Sequence, residues 1–193
     1  MTSSLAPEPR GDDVHELTID PARLQLLVDK QDITEVLYRY CRGIDRRDYE
    51  LVRSCYQADA IDDHGDFRGS VDEFLAYVQR GLPVFERTMH FIGNVLIDVD
   101  GDTARAESYI VAHHHLATSR SKPERDFSVG LRYVDDFARD RGSWLIAARV
   151  CAFEWARIDP VGPLGWTPAA TATRGRADGG DVVFVPSLRD LLR

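Results

Sequence analysis

The sequence predicts an α+β domain in which helices come first and an antiparallel sheet follows. In the first half of the chain, apolar residues recur at spacings of three and one, the pattern of a helix that is buried on one side. In the second half, four segments alternate in polarity, and short links rich in Asp, Gly and Ser separate them. Because such links connect neighbouring strands, we expect a curved antiparallel or mixed sheet that packs against the helices.

Three helices are predicted from apolar stripes and end signals. The longest spans residues 24–44, and Gly43 is placed at its end. The second spans 48–56 with Asp48 as its N-cap, and the third opens at the capping-box sequence Ser70-Val-Asp-Glu73. A short strand is expected over 60–64.

The four long strands are predicted over residues 89–99, 103–115, 126–137 and 144–158. Residues 1–20 lack periodicity and are expected to form a flexible leader, which leaves one domain over 21–159. Residues 160–193 form a tail, and its segment 160–166 is too apolar to remain in water. We expect that segment to cover the open end of the domain, as a lid, or to clasp a subunit boundary.

Composition excludes several classes of protein. The chain has 193 residues, of which 44% are hydrophobic, and its net charge of −8 disfavours binding to a phosphate backbone. No apolar run approaches the roughly 20 residues of a membrane helix, and no signal peptide opens the chain, so we expect a cytoplasmic protein. The three cysteines, at 41, 55 and 151, are expected to be buried thiols.

Two residues are candidates for acid–base chemistry. Asp45 directly follows the longest helix, where it is also suited to cap the next helix or to pair with a neighbouring arginine. His90 begins a strand in the string Thr-Met-His-Phe-Ile-Gly-Asn, where a hydrogen-bonded core histidine is the alternative. Spacing alone does not decide between these interpretations.

The consecutive histidines at 113–115 resemble a metal cluster at first sight. Adjacent side chains of a strand point to opposite faces, so His114 belongs to the inward set and His113 and His115 point away. A metal site needs a third ligand that the sequence does not indicate, so we expect no metal or cofactor. Phosphate-binding glycine loops, nucleophile elbows and His-Glu-x-x-His motifs are absent, which excludes the corresponding enzyme classes.

Over residues 25–158 the sequence resembles the SnoaL-like branch of the NTF2-like superfamily. The matching features are the helix that ends at Asp45, the block around His90 and the Gly-Ser-Trp144 turn leading to Arg149. The resemblance implies a cone, in which a curved sheet wraps around three helices and encloses a pocket. It also implies a small-molecule ligand and a homodimer or homotrimer, while the net charge and the lack of a long apolar run argue against nucleic-acid and membrane partners.

Within that superfamily, the pattern is similar to scytalone dehydratase, hexachlorocyclohexane dehydrochlorinase and bile-acid dehydratase, which use an Asp–His pair. The resemblance implies a cofactor-independent lyase of the dehydratase type, or an isomerase, acting on a small apolar cyclic or polyketide-like molecule. His90 would be the base and Asp45 its partner, while His114 is implied as an acid and Arg149 as an anion stabiliser.

Two tyrosines complete the site that the resemblance implies. Tyr40 is implied as a hydrogen-bond donor and Tyr133, which stands where a pocket asparagine is found, as a substrate contact. Core packing for Tyr40 and an edge salt bridge for Arg149 are the alternatives. The tyrosine pair of scytalone dehydratase is not recovered, since Ile44 precedes Asp45. Because the superfamily includes non-catalytic members, a ligand-binding or assembly subunit is the competing function.

Overall fold

The computed structural model describes residues 19–117, 123–161 and 172–191. The helices are α1 (Pro21–Arg46), α2 (Tyr49–Arg53), α3 (Val71–Gly81) and α4 (Leu188–Leu191). The strands are β1 (Tyr56–Asp63), β2 (Arg68–Ser70), β3 (Arg87–Asp100), β4 (Thr103–Leu116), β5 (Arg125–Asp140) and β6 (Ser143–Pro160).

One six-stranded sheet has the order β2-β1-β6-β5-β4-β3. The predicted antiparallel meander from β3 to β6 is confirmed. The sheet is mixed because β1 runs parallel to β6, where Tyr56 pairs with Ile146. The predicted α+β cone is therefore correct, with helices inside a curved sheet.

The core lies between α1 and the concave face of the sheet. The predicted stripe of α1 is buried, with exposed fractions of 5% or less at Ile33, Val36, Leu37, Tyr40, Cys41 and Ile44. On β4 the alternating positions from Ala104 to Ala112 are buried as well, as the period of a strand requires. Burial of a large apolar side chain contributes about 1.5–3 kcal/mol, so this layer stabilises the cone.

The predicted caps are present. Asp48 accepts a hydrogen bond from the backbone N–H of Leu51, and Ser70 and Glu73 form the reciprocal capping box of α3. The three cysteines are free and buried. No helix in the described part of the chain has the length and apolar character needed to cross a membrane.

The end of α1 differs from the prediction. The helix continues past Gly43 to Arg46, and Arg47, with φ of 53°, takes the left-handed position that ends it. Gly43 serves close packing instead. A Cβ atom there would lie 2.7 Å from Cγ2 of Val52 and 3.1 Å from the backbone oxygen of Asp48. The glycine therefore lets α2 fold back against α1.

The substitution Gly43→Ala is expected to destabilise the protein by about 1–3 kcal/mol, because the new methyl group meets backbone atoms that do not yield easily. Ordinarily the same change in a helix stabilises by about 0.5–1 kcal/mol. Gly81→Ala is the matched control, since nothing lies within 4 Å of a Cβ at that helical position. Urea denaturation measures both variants, and equal free energies of unfolding would contradict the packing role of Gly43.

Candidate active site

The last turn of α1 and the start of β3 bring Asp45 and His90 together. Nδ1 of His90 lies 2.7 Å from Oδ1 of Asp45, and the backbone N–H of His90 donates to Oδ2 at 2.9 Å. The hydroxyl of Thr88 donates to Oδ1, also at 2.9 Å. Both side chains are largely shielded, at 8% and 10% exposure. The predicted hydrogen-bonded pair is thus present.

These contacts fix the tautomer of His90. Burial by itself raises the pKa of Asp45, but the hydrogen bonds from His90 and Thr88 outweigh it and leave that pKa below its ordinary value. An ionised carboxylate only accepts, so Nδ1 of His90 carries the proton. Nε2 of a neutral His90 then has a free lone pair. That is the arrangement a general base requires.

His114 packs beside this pair, as the alternation on β4 predicts. Its ring centroid lies 5.7 Å from that of His90 in an edge-on contact, and it also contacts Phe85 and Phe127. Burial, together with the neighbouring His90, lowers the pKa of His114 to about 4. A group that is neutral at pH 7 does not act as the acid that the resemblance implies. Nδ1 lies 3.3 Å from the backbone oxygen of Phe127, which suits a neutral ring that donates there.

Stability is expected to fall as the pH drops from about 6.5 to about 4, because unfolded His114 binds a proton at a higher pH than folded His114. A pKa difference of this size corresponds to a contribution of about 3 kcal/mol, which is fully lost below the folded pKa. Urea denaturation from pH 4 to 7 measures it. His114→Phe should flatten this part of the profile, and an unchanged slope in that variant would contradict the assignment.

The neighbouring histidines point away from the pair. His113 contacts Ser128, and His115 lies 2.8 Å from Asp126 and 2.9 Å from Glu124. The predicted contact of His114 with His90 is therefore confirmed, whereas His113 lines a cavity beside Asp45 and His115 is buried rather than exposed. In the described part of the chain, no group of three His, Cys, Asp or Glu side chains is arranged to hold a metal ion.

A second polar cluster fills the interior of the cone. Arg149 is fully buried and donates to both carboxylate oxygens of Asp135, at 2.7 and 2.8 Å. Its guanidinium stacks between the rings of Tyr40 and Tyr133, at 4.1 and 4.0 Å from their centroids. Burial alone lowers the pKa of Arg149, but the facing carboxylate of Asp135 raises it well above its ordinary value. The arginine is therefore charged and already compensated.

The hydroxyl of Tyr40 also has a partner. It lies 3.3 Å from Nε2 of His64, whose Nδ1 is hydrogen-bonded to the fully buried Asp62. Tyr56 donates to the other oxygen of Asp62. The described part of the chain thus contains a second Asp–His pair, Asp62 and His64. It contacts α1 at Tyr40, whereas the first pair lies at the last turn of that helix.

The predicted site residues consequently divide into two groups. Asp45, His90 and His114 meet at one end of α1, whereas Tyr40, Tyr133 and Arg149 meet in the filled interior. No hydrogen bond, ion pair or ring contact joins the two groups among the described side chains. The placement of Arg149 as an anion stabiliser beside His90 is corrected accordingly, since Asp135 holds its charge elsewhere.

Asp62, His64 and Asp135 were not predicted as site residues. A signal was available for each of them. Asp62 and His64 are two residues apart on a predicted strand, so they share a face. Asp135 follows Tyr133 by two residues and stands opposite Arg149 in the register of β5 and β6.

Two cavities flank Asp45. The first, of about 340 Å³, is lined by His90 and by residues of α1, β3 and the tail: Tyr38, Cys41, Arg42, Asp45, Arg46, Phe91, Ile92 and Val183. The second, of about 260 Å³, lies beside Thr88 and Met89 and is also lined by His113 and by residues 175–177. The first cavity lies within the range of about 300–1,000 Å³ that is typical of small-molecule sites, and the second lies just below it.

The tail borders both cavities. Segment 160–166, which the sequence predicts as a lid or clasp, falls mostly outside the described residues, but residues 172–191 lie against the end of α1. Asp181 is buried and lies 3.2 Å from Nε of Arg46, and the ring of Phe184 faces the guanidinium of Arg42 at 5.4 Å. Val183, next to these contacts, lines the His90 cavity.

The chain belongs to the SnoaL-like domain family, whose model matches residues 25–150. This establishes the class that the cone and its sequence motifs define. Among curated proteins, the chain is 29% identical over 128 residues to the uncharacterized protein Rv2910c of Mycobacterium tuberculosis, which covers 63% of this chain and 83% of that protein. An uncharacterized protein of Mycobacterium bovis matches equally.

Solved structures share the fold. A putative scytalone dehydratase from Novosphingobium aromaticivorans superposes with a TM-score of 0.63 at 19% identity, over 76% of this chain and 99% of that one. A hexachlorocyclohexane dehydrochlorinase from Novosphingobium barchaimii superposes with a TM-score of 0.60 at 17% identity, over 76% of this chain and 97% of that one. At these identities the likeness establishes the architecture alone.

Proposed function

We propose that this protein is a cofactor-independent lyase of the dehydratase type, or an isomerase, in which His90 abstracts a proton from a small, mainly apolar substrate. The observation that supports this most directly is the Asp45–His90 hydrogen bond of 2.7 Å beside a cavity of about 340 Å³. A shielded carboxylate that accepts from Nδ1 leaves Nε2 of His90 as a base and stabilises the imidazolium that forms. Structural relatives named as dehydratase and dehydrochlorinase are consistent with this class.

In the proposed elimination, one residue carries out both proton transfers. Nε2 of His90 takes the proton from carbon, and the electron pair of the broken C–H bond forms the new double bond. Because His114 is a neutral imidazole at pH 7, it is not the acid of this step. The imidazolium of His90 instead returns its proton to the departing hydroxyl group. Water leaves, and His90 is neutral again. In the isomerase variant, the same proton returns to a different carbon.

The competing function, a non-catalytic ligand-binding or assembly subunit, has one observation in its favour. The interior of the cone is filled by the cluster around Arg149 rather than open. The cavity at His90 favours the enzyme instead, because a subunit that only binds a ligand does not need a basic nitrogen facing that ligand. The predicted homodimer or homotrimer stays a prediction.

Proton abstraction is tested by incubating the protein in D₂O with cyclic β-hydroxy ketones and β-hydroxy acids and following the C–H signal by NMR. We expect deuterium exchange or conversion to the unsaturated product with the native chain. With His90→Gln, which keeps a polar side chain of similar length, the rate should fall by about 10²–10⁴-fold. Compounds that bind, by chemical-shift changes at His90, but exchange no proton would favour the ligand-binding function.

A further inference from the structure

The arginines that line the two cavities differ in whether they have a carboxylate partner. Three of the arginines that line them have carboxylate partners: Arg46 with Asp181, Arg87 with Glu86 and Arg176 with Asp178. The fourth, Arg42, is exposed, contacts the ring of Phe184 and forms no ion pair with the carboxylates whose side chains the structure describes, in residues 19–117, 123–161 and 172–189. Arg42 therefore supplies the uncompensated positive charge of the His90 cavity.

The other charged groups of this cavity are already engaged. Both oxygens of Asp45 accept hydrogen bonds from His90, and one also accepts from Thr88. Asp181 is held by Arg46 and by backbone N–H groups of Arg176 and Val183. Neither of these carboxylates is free to turn toward Arg42, so the described lining of the cavity supplies no negative partner for it.

The position of Arg42 relative to the base suits a ligand that reaches both. Arg42 and Asp45 are three residues apart on α1, so their side chains are neighbours on one face of the helix, about 5–6 Å apart at Cβ. The same cavity also has an apolar part, formed by Phe91, Ile92 and Val183. An elongated ligand with one polar end therefore fits better than one that is polar throughout.

We propose that the ligand of this cavity is a monocarboxylate with an apolar body, held by Arg42 through its carboxylate while the body lies beside His90. This inference rests on the proposed function and specifies its substrate class. The planar guanidinium donates two parallel hydrogen bonds that match a carboxylate. One uncompensated charge matches a monoanion better than a phosphate dianion. In a chain with a net charge of −8, a local arginine is also needed to hold any anion.

Matched probes test the proposal without knowledge of the substrate. Benzoate and benzamide have nearly the same shape and differ in charge, and inorganic phosphate tests the other anion. Binding is followed by NMR titration of the His90 side-chain signals in the full chain. We expect benzoate to bind at least about tenfold more tightly than either benzamide or phosphate, as a charged hydrogen-bonded contact allows.

Variants assign the effect to Arg42. Arg42→Gln should weaken benzoate by at least about tenfold and leave benzamide unchanged, which separates lost charge from a loosened tail. Arg42→Lys should retain part of the affinity, because the charge stays while the fork geometry is lost. Arg39→Gln is the control, since Arg39 is an exposed arginine on the same helix that does not line the cavity.

Each outcome decides the question. Four results would overturn the carboxylate proposal. They are equal binding of benzoate and benzamide, stronger binding of phosphate, no binding of any probe, and unchanged benzoate affinity in Arg42→Gln. Proton abstraction from neutral substrates would then leave the proposed function standing. Conversely, charge-selective binding with no deuterium exchange in any bound acid would retain the anion site and refute the enzyme.

Discussion

Asp45→Asn is expected to switch the tautomer of His90 and to lower kcat by about 10²–10⁴-fold. The native carboxylate accepts from Nδ1–H at 2.7 Å and from the backbone N–H of His90 at 2.9 Å. An amide at this position can accept the backbone N–H with its oxygen and turn its NH₂ group toward Nδ1. The proton would then move to Nε2, where the proposed base needs a lone pair.

The tautomer is measured directly by long-range ¹H–¹⁵N correlation of the imidazole, which requires no substrate. Asp48→Asn is the matched control, because it makes the same charge change three residues away and asparagine is an equally good N-cap. Retention of the Nδ1–H form in Asp45→Asn, with turnover at the native rate, would contradict the positioning role of Asp45.

The largest expected effect on stability comes from the interior ion pair. Arg149→Met should lower the free energy of unfolding by about 3–5 kcal/mol, because Asp135 is left buried and uncompensated. The double variant Arg149→Met with Asp135→Leu should recover most of that loss, since two apolar side chains fill a similar volume without charge. Urea denaturation of the two single variants and the double variant gives the coupling free energy.

Arg105 and Asp136 provide the control for this cycle. They form a cross-strand pair between β4 and β5, as exposed side chains with fractions of 61% and 50%. Arg105→Met should therefore change stability by less than about 1 kcal/mol. An equal loss at both pairs would mean that charge burial is not what makes Arg149 important.

The sequence predicted most of the fold because its signals were local. The alternation on β4 placed His114 correctly, and the capping residues Asp48 and Ser70 marked where α2 and α3 begin. Gly43 was misassigned because a glycine near a helix end has two uses. Only the return of α2, which places Val52 against it, distinguishes close packing from a C-cap.

The candidate site was predicted in part for a related reason. The pairing of Asp45 with His90 followed from the resemblance, which carries information about distant contacts. The role of Arg149 could not be predicted in the same way, because it depends on whether the carboxylate of Asp135, opposite it on the neighbouring strand, compensates its charge. Cross-strand partners follow from register, and register is fixed by turns and bulges such as the irregularity between Asp136 and Phe137. Residue type alone does not reveal it.

The parallel pairing of β1 with β6 has a consequence for how the chain acquires its structure. Local hairpins can form from β3 to β6 without the rest of the protein, whereas Tyr56 must find Ile146 across most of the folded sequence. Contacts between such distant residues form slowly, because a long loop has to close before they contribute. We therefore expect β1, whose Asp62 stands opposite Arg149, to dock after the hairpins have formed. Substitutions in β3 to β6 should then slow folding more than substitutions in β1.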